Sequence, residues 1–98
     1  MRVVMVSREQ GPERMTAEIE LHFEEGDGPL AGMKLVGFSL WKGADGEEYV
    51  TFPSRSFGVG QERRFFDYVR GIEPGPGETK RFKAWILDEV AALRRARG

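Results

Sequence analysis

Ten cationic side chains crowd the second half of the chain: Arg55, Arg63, Arg64, Arg70, Lys80, Arg81, Lys83, Arg94, Arg95 and Arg97. Eight of these ten are arginines. A guanidinium is planar, stays protonated at physiological pH and offers a phosphate two parallel hydrogen bonds. A row of such groups on one surface displaces the counterions of a nucleic-acid backbone, so the chemistry indicated is phosphate binding. Arg55, Lys80, Arg81, Lys83, Arg94, Arg95 and Arg97 are the nucleic-acid-binding candidates, those on the helix and tail meeting phosphates as one strip. The competing account is that these charges merely solvate a surface. Four rings, Phe57, Phe65, Phe66 and Tyr68, lie among the arginines. Exposed, they would stack on bases; more commonly such rings fill a core or an interface.

Other candidate constellations are thinner. His22 is the single histidine, and Glu20 and Glu24 flank it at two-residue spacing. On one strand face the three could ligate a metal, but a fourth group or water would usually be needed, and an exposed strand surface is the simpler reading. The carboxylate pairs Glu24-Glu25 and Glu47-Glu48 sit beside turns, with nothing to oppose them as acid and base. Ser54 and Ser56 have no local base, and one histidine does not make a triad. Gly58-Val59-Gly60 lacks the Gly-Lys-Ser/Thr ending of a phosphate loop and does not lead directly into a helix. With no cysteine there is no thiolate zinc site, disulfide or cysteine nucleophile. The expectation is no enzyme, no catalytic residue, no metal, no cofactor and no small-molecule substrate.

Charge distribution supports a basic surface on a nearly neutral protein. The net charge is −1, yet residues 1–49 hold five basic and ten acidic side chains and residues 50–98 hold ten basic and six acidic. Such asymmetry permits a cationic face without a polycationic chain. The 98 residues suit one domain, residues 1–98, with a modest core that a dimer interface would usefully extend. No run approaches the roughly 18 apolar residues of a membrane helix, and Met1 to Gln10 has too short an apolar run for a signal peptide. A cytoplasmic protein without membrane contact is expected.

The elements that must position these groups read as follows. Val3–Ser7 is a short apolar strand, and Gly11-Pro12 marks a turn after it. Met15–Glu24 alternates: Met15, Ala17, Ile19, Leu21 and Phe23 point one way, and Thr16, Glu18, Glu20, His22 and Glu24 the other, the mark of a half-buried antiparallel strand. A Gly-rich loop over 25–32 leads to a strand from Met33 to Trp41, with Val36, Phe38 and Leu40 on one face and Leu35 and Trp41 on the other. Asp45-Gly46 reverses the chain, Glu48–Phe52 returns as a fourth strand, and Pro53, with no N–H to donate, ends it. Residues 54–61 read as a flexible connection, and Arg63–Arg70 as a fifth strand or a short helix. After the break Glu73-Pro74-Gly75-Pro76-Gly77, the residues Phe82, Trp85, Ile86, Val90 and Leu93 recur at helical spacing over about five turns. The fold class is therefore α+β: a four- to five-stranded antiparallel, meander-like sheet with a central hairpin over 36–52 and one C-terminal amphipathic helix.

This arrangement resembles the stage V sporulation protein G family. The likeness is carried by the alternating Ala17-Glu18-Ile19-Glu20-Leu21, by the apolar hairpin running into Tyr49-Val50-Thr51-Phe52-Pro53-Ser54-Arg55, by Phe65-Phe66-Asp67-Tyr68-Val69 and by the helix around Phe82–Val90. It spans roughly residues 15–93; the chain differs at Arg70-Gly71, where the family has His-Pro. The resemblance implies a small cytoplasmic regulator of septation and sporulation type that binds DNA or RNA as a homodimer, without cofactor or enzymatic activity. The alternative is a protein-interaction or scaffold module without nucleic-acid affinity, suggested by the overall acidic balance and the apolar outer positions Leu35 and Trp41.

Overall fold

A computed structural model describes residues 1–7 and 13–97; the turn expected at Gly11-Pro12 lies outside the described residues. Four strands form an antiparallel meander in the order β1 (Arg2–Val6), β2 (Met15–His22), β3 (Lys34–Lys42) and β4 (Glu48–Thr51). Beyond it lie a separate two-stranded ribbon, β5 (Ser54–Phe57) with β6 (Arg64–Asp67), and, among the described residues, one α-helix, α1 (Gly77–Arg97). The α+β architecture read from the sequence is the one observed. None of the described helices is long and apolar enough to cross a membrane.

The alternation in β2 builds the core. Ala17, Ile19 and Leu21 are buried, facing Val3 of β1 and Phe38 and Leu40 of β3. The β3–β4 reversal follows from Asp45-Gly46: Gly46 adopts φ +86, and the Gly43 and Glu47 main chains bond across the turn.

One face assignment is corrected by the structure. Ile19 pairs with Phe38 but Leu21 pairs with Leu35, so β3 carries an extra residue between these pairs. Gly37, at φ +104, absorbs the bulge. The bulge exchanges the faces of its neighbours: Leu35 packs against the core, whereas Val36, expected inside, is 50% exposed. A second register shift, between Met15 and Ala17, sets Met15 across from Trp41. Trp41 donates its indole N–H to Thr51 Oγ1 at 2.7 Å, which satisfies the ring's one polar atom on the half-buried outer face.

The helix closes the core from one side. Its apolar stripe inserts Ile86 and Val90 fully, with Phe82, Trp85, Leu87 and Leu93 packed around them. Phe38, Phe52 and Phe82 meet edge-on or tilted at 5.4–6.2 Å between centroids, joining sheet to helix. Each fully buried side chain of this size contributes about 1.5–3 kcal/mol. Among the described residues no polar or charged side chain is buried. Glu78 in the first turn and Arg94, Arg95 and Arg97 in the last suit the two ends of the helix dipole.

The segment expected as a flexible connection over 54–61 is corrected as well. Its first four residues are β5, and Gly60–Glu62 forms a single 3-10 turn before β6. Within Arg63–Arg70 the residues Arg64–Asp67 are strand rather than helix, but they do not join the meander: β6 pairs with β5 alone. Pro53 explains the separation, because without an N–H it cannot extend the β4 ladder.

Candidate nucleic-acid interface

Among the described residues the ribbon is where cations and open rings mix. In an antiparallel pair, directly opposed residues project to the same side. Arg55 opposes Phe66 and Phe57 opposes Arg64, which places all four on one face in a checkerboard of charge and ring. The other face carries Ser54, Ser56, Phe65 and Asp67. The Arg55 guanidinium lies 4.5 Å from the centre of the Phe57 ring, a cation–π contact, and Phe66 meets Phe57 edge-on at 5.2 Å.

Tyr68 continues this face just beyond β6. Its main-chain N–H donates to the Pro53 carbonyl at 2.8 Å, tying the root of the ribbon back to the end of β4. Arg55, Phe57, Phe66, Asp67, Tyr68 and Arg70 line an open hollow of about 490 Å³. The rings are strongly exposed: Phe65 by 68%, Tyr68 by 65%, Phe66 by 48% and Phe57 by 44%. So many open aromatic rings on one small ribbon mark a contact surface rather than a core.

The helix cations are distributed differently from the single strip expected. Arg81 is paired with Glu78 one turn earlier, at 3.1 Å. The Lys83 ammonium stands 5.1 Å above the Phe52 ring, down the flank that faces β4. Arg94 clamps the Glu48 carboxylate with both of its terminal nitrogens, one bond measuring 2.9 Å. Lys80 and Arg95 remain exposed on α1 but are 15 residues apart, about 22 Å of helix. Arg97, also exposed, lies beside β1 with Leu93. Arg55 is the one predicted site residue on the ribbon, where it joins Arg64 and Arg70.

No protein-family model, curated protein or solved structure matches the chain.

The remaining candidates are engaged with one another. His22 Nε2 and Glu20 Oε1 share a hydrogen bond of 2.9 Å, and Lys34 approaches the same carboxylate at 3.4 Å. That bond to His22, reinforced by Lys34, holds the Glu20 carboxyl below the usual range against the opposing effect of desolvation. Glu24 lies past the end of β2, 3.7 Å from the N-terminal ammonium, which sits closer still to Asp27 at 2.7 Å. Among the described residues no group of three or more His, Asp or Glu is disposed to hold a metal ion.

The Glu48–Arg94 pair makes a pH prediction. The hydrogen bonds from Arg94 hold the Glu48 carboxyl below its ordinary value of 4.5, and partial burial opposes them. A carboxylate with a lowered folded-state pKa contributes stability that is complete above pH 4.5 and fades as the pH falls through the lower folded value. Arg94 is half exposed, so the contribution is expected at about 0.2–1 kcal/mol. Denaturant titration should show Glu48→Gln less stable than the parent at pH 6, with the gap narrowing as the pH is lowered below 4.5. A gap that persists undiminished in acid would contradict this assignment.

The sequence marked Arg55 and the four rings and offered a strand over 63–70, but it missed β5 and the pairing that makes a ribbon of the two. The available signal was the alternation Ser54-Arg55-Ser56-Phe57, a strand pattern with no wholly apolar face.

Proposed function

We propose that this protein is a small nucleic-acid-binding regulator, similar to the stage V sporulation protein G family, that works as a homodimer in the cytoplasm. The observation that carries the reading is the ribbon face, where exposed arginines and exposed aromatic rings interleave. Among the described residues Arg55, Arg64 and Arg70 make no ion pair with a carboxylate, so their charge is available to phosphates. Among the described residues Arg95 and Arg97 likewise make no ion pair, which adds charge at the end of α1. The family likeness of the hairpin ending in Pro53-Ser54-Arg55 supports the same function.

The test is a mobility-shift or anisotropy titration against pooled DNA and RNA at about 50 mM salt. Binding is expected, with a steep salt dependence. Four phosphate contacts on a single strand give a log–log slope near −3, so raising salt fourfold should weaken binding about 50-fold. No affinity for any member of the pool at the lower salt would overturn the proposal. The homodimer is checked by light scattering, and a monomer mass throughout the micromolar range would refute it.

A protein-interaction module is the second reading, favoured by the exposure of Val59, Phe65 and Ile72. A stoichiometric protein partner that survives nuclease treatment, together with absent nucleic-acid binding, would support it instead.

A further inference from the structure

We propose that the β5–β6 face is a base-stacking site for single-stranded nucleic acid, with Phe66 and Tyr68 as the platforms and Arg55, Arg64 and Arg70 as the phosphate contacts. The inference rests on the nucleic-acid reading above and specifies the form of the ligand and the site that takes it.

Ring placement selects the single strand. Phe57 is already engaged, with the Arg55 guanidinium over its ring and the Phe66 ring meeting it at 78°. Phe66 and Tyr68 are the more exposed rings on that face and have room above them in the open hollow. They are two residues apart, Phe66 in β6 and Tyr68 just past its end, and two residues of strand span about 6.8 Å. Successive bases in one strand of a duplex are about 3.4 Å apart. Only an extended strand with unstacked bases can place one base on each ring. The faces of paired, stacked bases are closed to side chains, whereas every unpaired base offers a π-face whatever its sequence.

Charge selects nucleic acid over a second copy of this chain. Residues 54–70 contain four arginines, no lysine and only two carboxylates, Glu62 and Asp67. Two such ribbons set face to face would bring Arg55, Arg64 and Arg70 toward their own equivalents with Asp67 as the sole carboxylate in the hollow. An anionic polymer meets the same residues with complementary charge.

The experiment compares a ~12-nucleotide oligothymidylate with a DNA hairpin duplex by fluorescence anisotropy on the full-length protein. The parent should prefer the single strand. Phe66→Ala and Tyr68→Ala should each weaken single-strand binding by about fivefold to a hundredfold, because base–ring stacking is lost. Their salt slope should stay that of the parent, since no cation has been removed. Arg64→Gln and Arg70→Gln should each flatten the slope by about 0.7. Tyr68→Phe keeps the ring and should bind like the parent. The rings lie outside the core, so thermal melts should show all five variants folded.

Single-strand affinity unchanged in Phe66→Ala and Tyr68→Ala would overturn the site. Equal affinity for the duplex and the oligothymidylate would overturn the single-strand selectivity. A parent dimer that becomes a monomer in Phe66→Ala by light scattering would assign the face to a second copy and also refute the inference. In each of these cases nucleic-acid binding itself survives, whereas a parent that binds neither probe removes both readings.

Discussion

Phe38→Ala is expected to destabilise the protein by about 3–5 kcal/mol, the largest effect of any single truncation proposed. Phe38 is fully buried and stands between two layers. Its ring meets Phe52 at 5.4 Å and Phe82 at 6.2 Å, both edge-on, so it joins the sheet to the helix. Truncation forfeits the transfer energy of the ring, leaves a cavity that the rigid meander cannot fill and removes two aromatic contacts at once. A domain of this size has only about 5–15 kcal/mol of stability to lose. The melting midpoint should fall by at least ~12 °C. Phe66→Ala supplies the contrast: the same chemical change on the exposed ribbon should cost less than about 1 kcal/mol. If the two truncations proved equally destabilising, the division between a structural core and an open ribbon would be wrong.

That division was only half legible in the sequence. The meander and the helix could be read because burial imposes a period. β2 alternates across a face that packs inward, and α1 repeats Phe82, Trp85, Ile86, Val90 and Leu93 along a stripe that meets the sheet. The ribbon imposes no such period, since nearly every one of its residues is exposed. A phenylalanine in an exposed strand and one in a core are the same letter, and only the departure of the chain from the sheet at Pro53 separates Phe66 from Phe38. Ion pairing was hidden for a different reason. Arg94 read as a phosphate contact because its partner, Glu48, is 46 positions earlier and adjacent only once β4 and α1 pack together. The β3 bulge did have a mark, since a glycine inside an apolar strand signals a bulge or a close approach. Gly37 turns out to serve both purposes.

Gly37→Ala is expected to cost at least about 2 kcal/mol and to weaken the proposed single-strand binding of the ribbon as well. Two separate penalties apply. The residue sits at φ +104, a conformation that L side chains rarely adopt, worth about 1–3 kcal/mol of strain. A Cβ built there would also lie 2.8 Å from the Pro53 Cβ, a distance that forces one backbone to move. The partner is not accidental. Ser39 pairs with Thr51, and continuing that antiparallel register by two residues brings Gly37 opposite Pro53. Pro53 ends β4, begins the ribbon and accepts the Tyr68 N–H through its carbonyl. A displaced Pro53 therefore shifts the root of β5 and the Tyr68 platform together. Gly46→Ala is the control: its φ of +86 carries strain, but open space surrounds it. It should destabilise less and leave single-strand binding unchanged. Pro53→Gly removes the opposing Cβ, so the double variant Gly37→Ala/Pro53→Gly should be more stable than the sum of the two single changes predicts, by about 1 kcal/mol. Strict additivity would show that backbone strain alone sets the cost at Gly37. A Gly37→Ala variant with full single-strand affinity would show that the ribbon holds its geometry without the Gly37–Pro53 contact.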